Sequence, residues 1–160
     1  MKVVTILGIN PGTRFIGLAV LQDKVLIHHQ LRSFQGKWSQ DKLQSILAAI
    51  EDIIYRYRVT DVAVKVPDRL PASLGFTQLL GTLNVLCENT VGKPVYYTLS
   101  DMKHVLCNDK SNFRIKLMHI IVEYYPELLP ECGKEEANIN KYYYKLFEAV
   151  AAAHMLSQKS

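Results

Sequence analysis

Residues 3–21, VVTILGINPGTRFIGLAVL, place the tightest constraint on the fold: two apolar, β-branched runs joined by Asn10-Pro11-Gly12-Thr13-Arg14. Runs of that length and composition read as strands, and the Pro-Gly pair marks the reversal between them, so the chain opens on a β-hairpin. Residues 25–34, VLIHHQLRSF, follow after only Gln22-Asp23-Lys24, which extends the hairpin to a three-stranded antiparallel meander.

The segments that follow alternate in period. Residues 41–58 set Leu43, Ile46, Leu47, Ile50, Ile53, Ile54 and Tyr57 three and four apart, an amphipathic helix with Ser39 placed to cap it. Residues 62–66, VAVKV, read as a buried strand stopped by Pro67. With a helix between it and the meander, that strand can join the sheet parallel to the first. Lys65 is unfavourable there unless it snorkels to the end of the sheet or meets a carboxylate, an ordinary edge-strand lysine being the plain alternative. Residues 72–88 read as a second helix, with Gly75 and Gly81 as spots for close backbone approach, and residues 95–98 as a fifth strand. Ser100 then caps a short helix that carries Lys103 outward. Residues 113–125 form a helix with the stripe Ile115, Met118, Val122 and Tyr125, and residues 126–140 a polar loop. Residues 141–158 make a closing helix whose run Ala149-Val150-Ala151-Ala152-Ala153 allows tight packing onto the sheet.

Composition bounds the rest. In 160 residues, 49% hydrophobic and 21% charged, there is apolar material for one buried core, and one domain over 1–160 is expected. A formal net charge of +4 suits a nucleic-acid partner but is not gathered into one basic run, so a mildly basic solvated surface accounts for it equally well. Cys87, Cys107 and Cys132 are odd in number and far apart, which argues against a disulfide framework and against a zinc site. His28 and His29 are adjacent in a strand, point to opposite faces and do not suit one metal. The N-terminus carries no signal-peptide pattern, no segment reaches the length of a membrane span, and a cytoplasmic location is expected.

Three antiparallel strands, a helix, a strand, a helix, a strand and closing helices are the element order of the ribonuclease H-like fold: α/β, a mixed five-stranded sheet, three strands antiparallel and two parallel, covered by helices on both faces. The stretch ILGINPGTRFIGLAV resembles the opening motif of the RuvC-like Holliday-junction resolvase family, ILGIDPG[ST]R-x-x-G-x-[AG]V, and IGLAV is similar to the related YqgF proteins. The family's A-[IV]-E strand falls on Ala63-Val64-Lys65, and its L-G-x-x-x-x-[VA] helix start on Leu80-Gly81 through Val85. Its lysine-bearing helix falls near Lys103, its next helix start on Lys110-Ser111, and its closing D-x-x-D-A-[LV]-A on the residues from Lys145 to Ala151. The resemblance implies four carboxylates that hold two Mg²⁺ ions, which activate water and stabilise the leaving oxygen. Carried over one by one, those positions are Asn10, Lys65, Lys145 and Glu148. One carboxylate remains. An amide and two ammonium groups in place of three carboxylates move the local charge by about five units, so two-metal cleavage is not expected.

In place of metals, Lys65 could donate to Glu148 and Asn10, with Lys145 sharing the same carboxylate one turn earlier on its helix, neutralising the pocket from within. Asp68, Glu51, Asp101 and Asp109 are the carboxylates that would have to swing inward to rebuild a ligand set. The resemblance implies nucleic acid as partner, branched DNA included, with a DNA-contacting lysine near Lys103; Arg14, Lys110, Arg114 and Lys116 add cations for phosphate, and Tyr142, Tyr143 and Tyr144 add rings for stacking, a solvated basic face and helix packing being the plain alternatives. It also implies a homodimer, because a four-way junction has two-fold symmetry; the helix of residues 74–87 carries more apolar surface than one sheet face needs, which suits that interface and core packing equally. No cofactor is expected, Mg²⁺ being the ion if the chain cleaves, and no membrane partner. Three classes stay open: a pseudo-nuclease that keeps nucleic-acid binding, an active metal-dependent nuclease with unusual ligands, and a non-catalytic scaffold or regulatory homodimer.

Overall fold

The computed structural model describes residues 2–69, 73–107, 113–137 and 142–159. The meander forms as expected: β1 (Thr5–Asn10), β2 (Phe15–Gln22) and β3 (Val25–Ser33) pair antiparallel, with Asn10 opposite Gly17 at one end. Asp23 and Lys24 take up left-handed backbone to close the β2–β3 turn, and Val4 N–H donates to the Asp23 carboxylate at 3.1 Å. Helix α1 (Gln40–Arg56) follows, its first turn capped by Ser39, and leads to β4 (Asp61–Lys65), which pairs parallel to β1. Helix α2 (Leu74–Thr90) leads to β5 (Val95–Tyr97), parallel to β4. The sheet order is therefore β3-β2-β1-β4-β5, with β1 at its centre.

Both faces are covered, as the nearly fully buried strands β1 and β2 require. Leu7, Ile9, Ile16, Leu18, Val20, Val62 and Val64 turn to α1 and α2, where they meet Leu43, Ile46, Ile50, Leu79 and Leu83. Ile6, Ala19, Leu21 and Ala63 turn to the other face, covered by α3 (Leu99–Leu106), α4 (Phe113–Tyr124), a 3₁₀ turn (Pro126–Leu128) and α6 (Tyr144–Ser157). No described helix is long and apolar enough to cross a membrane.

Several expectations on this second face are corrected. The cap of α3 is Thr98, not Ser100: Thr98 Oγ1 accepts from Asp101 N–H, and Asp101 accepts from Thr98 N–H at 2.8 Å, a reciprocal box. Helix α4 buries Phe113, Leu117, Met118 and Ile121, while Ile115 is exposed. What read as a polar loop holds the 3₁₀ turn and α5 (Leu129–Ala137). Gly75 is approached by the ring of Trp38 rather than by backbone, and nothing lies within 4 Å of a Cβ built on Gly81.

Helix α6 decides where chemistry can sit. A Cβ on Gly8 would lie 2.1 Å from the carbonyl oxygen of Ala149, and one on Gly17 2.2 Å from that of Lys145. The helix therefore rests on the bare backbone of β1 and β2, a separation only glycine beneath and small residues above permit. Running back along β1, it sets the turn from Lys145 to Glu148 over Asn10.

Candidate active site at the ends of β1 and β4

Four side chains meet where β1 and β4 end. Glu148, nearly the most buried polar residue, is reached from β4 by Lys65, whose Nζ lies 2.9 Å from Oε1. Asn10 Nδ2 donates to the same oxygen at 3.2 Å and to the backbone carbonyl of Lys145 at 3.3 Å. From α4, Arg114 brings its Nε to 3.6 Å from Oε2, an atom that has no hydrogen bond in its buried position. A buried carboxylate is tolerated only when it is paired and hydrogen-bonded, and here an ammonium, an amide and a guanidinium share that task.

Two expected contacts are corrected. Lys65 donates to Glu148 but not to Asn10, which is itself a donor to the carboxylate. Lys145 does not share Glu148: its ammonium turns under the loop after β1 and donates to the carbonyl of Pro11 at 3.4 Å. A Cβ on Gly12 would stand 2.8 Å from that Nζ, so the loop backbone lies directly on the ammonium. Desolvation under the loop pushes the Lys145 pKa down to about 8; Lys65 and Arg114 push the same way, and Glu148 opposes them. Nor is the pocket neutralised from within, since three cations face one carboxylate.

Divalent metal ions do not fit this donor set. A hard cation needs several oxygen ligands, yet the sites for them hold the Asn10 amide and two ammonium groups, one of them in contact with the remaining carboxylate. Among the described residues no three His, Cys, Asp or Glu gather as a metal site. The carboxylates that would have to swing inward do not. Asp68 is exposed and held below the usual carboxylate range chiefly by hydrogen bonding to Ser100, Asp101 caps α3, and Glu51 is exposed on α1. Asp109 lies outside the described residues.

The four expected nucleic-acid contacts are not one group. Arg114 joins the cluster and stacks its guanidinium on the Tyr144 ring at 4.3 Å. Arg14 is exposed beside it, over Phe15, whose ring stacks on Tyr142 at 3.9 Å. Thr13 and Arg14 also line a cavity of about 350 Å³ with Phe34, Trp38 and Lys42. Lys103 does not project freely: it is half-buried on α3 with its ammonium over Phe113 at 5.5 Å. Lys110 lies outside the described residues. Sequence reasoning named Arg114 but missed its pairing with Glu148, which no local spacing could reveal between residues so far apart in the chain.

Comparison with known proteins agrees with this architecture. No curated protein sequence matches the chain. Among solved structures, RuvC of Thermus thermophilus matches at 20% identity with a TM-score of 0.68, over 94% of this chain and 91% of that one. T. thermophilus RuvC in complex with a Holliday junction substrate matches at 20% identity and TM-score 0.67, over 94% and 90%. At such identity the two establish the fold, a ribonuclease H-like one. The family model for the crossover junction endodeoxyribonuclease RuvC matches residues 6–124, from β1 to the end of α4, and stops before α6. Covering most of the 160 residues, that match places the chain in the RuvC family of crossover junction endodeoxyribonucleases.

Proposed function

We propose that this RuvC-family chain binds nucleic acid, branched DNA foremost, without the metal-assisted cleavage of its family. The observation that carries the reading is the 2.9 Å contact between Lys65 Nζ and Glu148 Oε1. The carboxylate at the family's last ligand position is engaged by an ammonium that stands at another. A cation fixed on the protein can hold a phosphate but does not lower the pKa of a bound water as a metal ion does, so binding survives where cleavage does not. Arg14 over Phe15, the Phe15–Tyr142 stack and Arg114 over Tyr144 supply alternating charge and aromatic surface beside the site, which suits backbone and bases together.

The same reading includes a homodimer, with the second copy against α2. Leu74 and Val85 are exposed there, and a furrow of about 420 Å³ between α1 and α2 is lined by Leu47, Val85 and Leu86.

Mobility shift on branched, linear and single-stranded DNA in EDTA tests the binding, and cleavage assays with Mg²⁺ or Mn²⁺ test the loss of chemistry. Binding with junction preference and no cleavage is expected. Metal-dependent cleavage by the parent that vanishes in Glu148→Ala would overturn the reading in favour of an active nuclease, and a stable dimer with no affinity for any nucleic acid at low salt would leave a scaffold. The variant Asn10→Asp with Lys65→Glu and Lys145→Asp, assayed beside the parent, asks whether carboxylates alone restore cleavage.

A further inference from the structure

The charges around Glu148 do not balance, and the imbalance has a direction. Lys65, Arg114 and Lys145 bring three positive charges against the single negative charge of Glu148, and Asn10 brings none. Lys65 answers Glu148 directly at 2.9 Å. Arg114 stands 3.6 Å from the second carboxylate oxygen, and the described contact of the Lys145 ammonium is one carbonyl at 3.4 Å. Two cations are thus left in excess at a partly buried place, where uncompensated charge is costly and an arriving anion would relieve it.

The geometry suits such an anion. Arg114 has a side chain 54% exposed, yet the Tyr144 ring holds its guanidinium plane at 4.3 Å, so the donor fork is both steadied and open to solvent. Glycine at position 12 leaves no side chain between the loop and the Lys145 ammonium.

We propose that Arg114 and Lys145 form an anion site, and that its occupant is a backbone phosphodiester of the bound nucleic acid, Lys65 remaining committed to Glu148. The inference rests on the reading of these positions as free of metal and deepens it: the protein's own cations meet the phosphate oxygens directly. Charge-assisted donors of these two kinds are the usual partners of phosphate oxygens. Nucleic acid, rather than a free anion, is favoured by the neighbours. Phe15 on Tyr142 and Arg14 beside them continue the surface away from the site in a form a small anion has no use for.

The test uses the isotopically labelled full chain and follows the Arg114 Nε–H and Gly12 N–H resonances during titration with inorganic phosphate, chloride serving as the control at equal ionic strength. A saturable shift with phosphate alone is expected. Lys145→Met and Arg114→Gln should each weaken it about tenfold, the effect of removing one charge-assisted hydrogen bond. Arg56→Gln, whose partner Asp52 lies on α1, should leave it unchanged. Because Arg114 is half-exposed, its variant keeps the fold even if Lys145→Met does not. The affinity of Arg114→Gln for branched DNA in EDTA should show a salt slope smaller by about 0.9, because one phosphate fewer is neutralised by the protein. Absence of a saturable phosphate shift would overturn the anion site, and DNA binding that persisted in EDTA would then leave the proposed function standing. A phosphate shift without DNA binding would overturn the phosphodiester as occupant and the binding function with it. Displacement of phosphate by Mn²⁺, with broadening around Glu148, would overturn the metal-free reading on which the inference rests.

Discussion

Glu148 shows how much one buried carboxylate depends on its partners. Removing Lys65 by Lys65→Met strips the nearest counter-charge from a nearly inaccessible group, and a loss of about 3 kcal/mol in urea-unfolding free energy is expected. Lys65→Met with Glu148→Met should recover only part of that loss, since it removes the unpaired carboxylate but also takes the acceptor from Asn10 and the counter-charge from Arg114 and Lys145. Part of this was legible in the sequence: a lysine in an apolar strand had to find a carboxylate or the sheet's end, and the resemblance named which one. The path of Lys145 was not, because helical spacing puts it near Glu148 while the loop over Gly12 decides where the ammonium goes. A second buried group carries a pH dependence. Tyr125 hydroxyl lies 2.8 Å from His154 Nδ1, and burial raises the tyrosine to about 12. Burial first, then Lys24, lowers the His154 pKa. The unfolded chain therefore binds this proton more readily, so His154's contribution to stability is intact above about pH 6.5 and is lost as pH falls through its folded value. Urea midpoints from pH 7.5 downward should fall in the parent and fall less in His154→Gln.

At the scale of elements, the seat of α6 is the contact with least tolerance. Gly8→Ala would drive a methyl to 2.1 Å from backbone, which no rotamer change relieves, and a loss of several kcal/mol or failure to fold is expected by thermal melt. Gly81→Ala, in the exposed middle of α2 with open space around it, should instead stabilise by about 0.5–1 kcal/mol. The meander, α1 and the alternation of strands and helices could be read in advance because their periods are clean. Helix α5 could not: Pro130 and Gly133 within LPECGKEEA look like breakers, yet Pro130 falls in the first turn, where its missing N–H costs nothing. The buried face of α4 was misplaced because FRIKLMHIIV is apolar on more than one side, and docking against α6, not spacing, picks Phe113, Leu117, Met118 and Ile121. The T-x-x-D box at Thr98 was present in the sequence and overlooked for a neighbouring serine.

Over the whole molecule, association and binding should separate. If α2 is the contact between copies, Val85→Glu should halve the mass seen by light scattering while leaving the cluster at Glu148 unaltered, since Val85 sits on the opposite face of the sheet. The seat of α6 has a wider consequence. Its helix is held in place by glycine and alanine backbone contact along β1 and β2, and its site residues Lys145 and Glu148 project from its N-terminal end. The seat of α6 and the side chains at positions 10, 65 and 145 thus rest largely on different residues, so the charge of the site and the placement of the helix are set separately. An architecture of this kind keeps its shape while the charge of its site changes, so shape alone does not report what the site does.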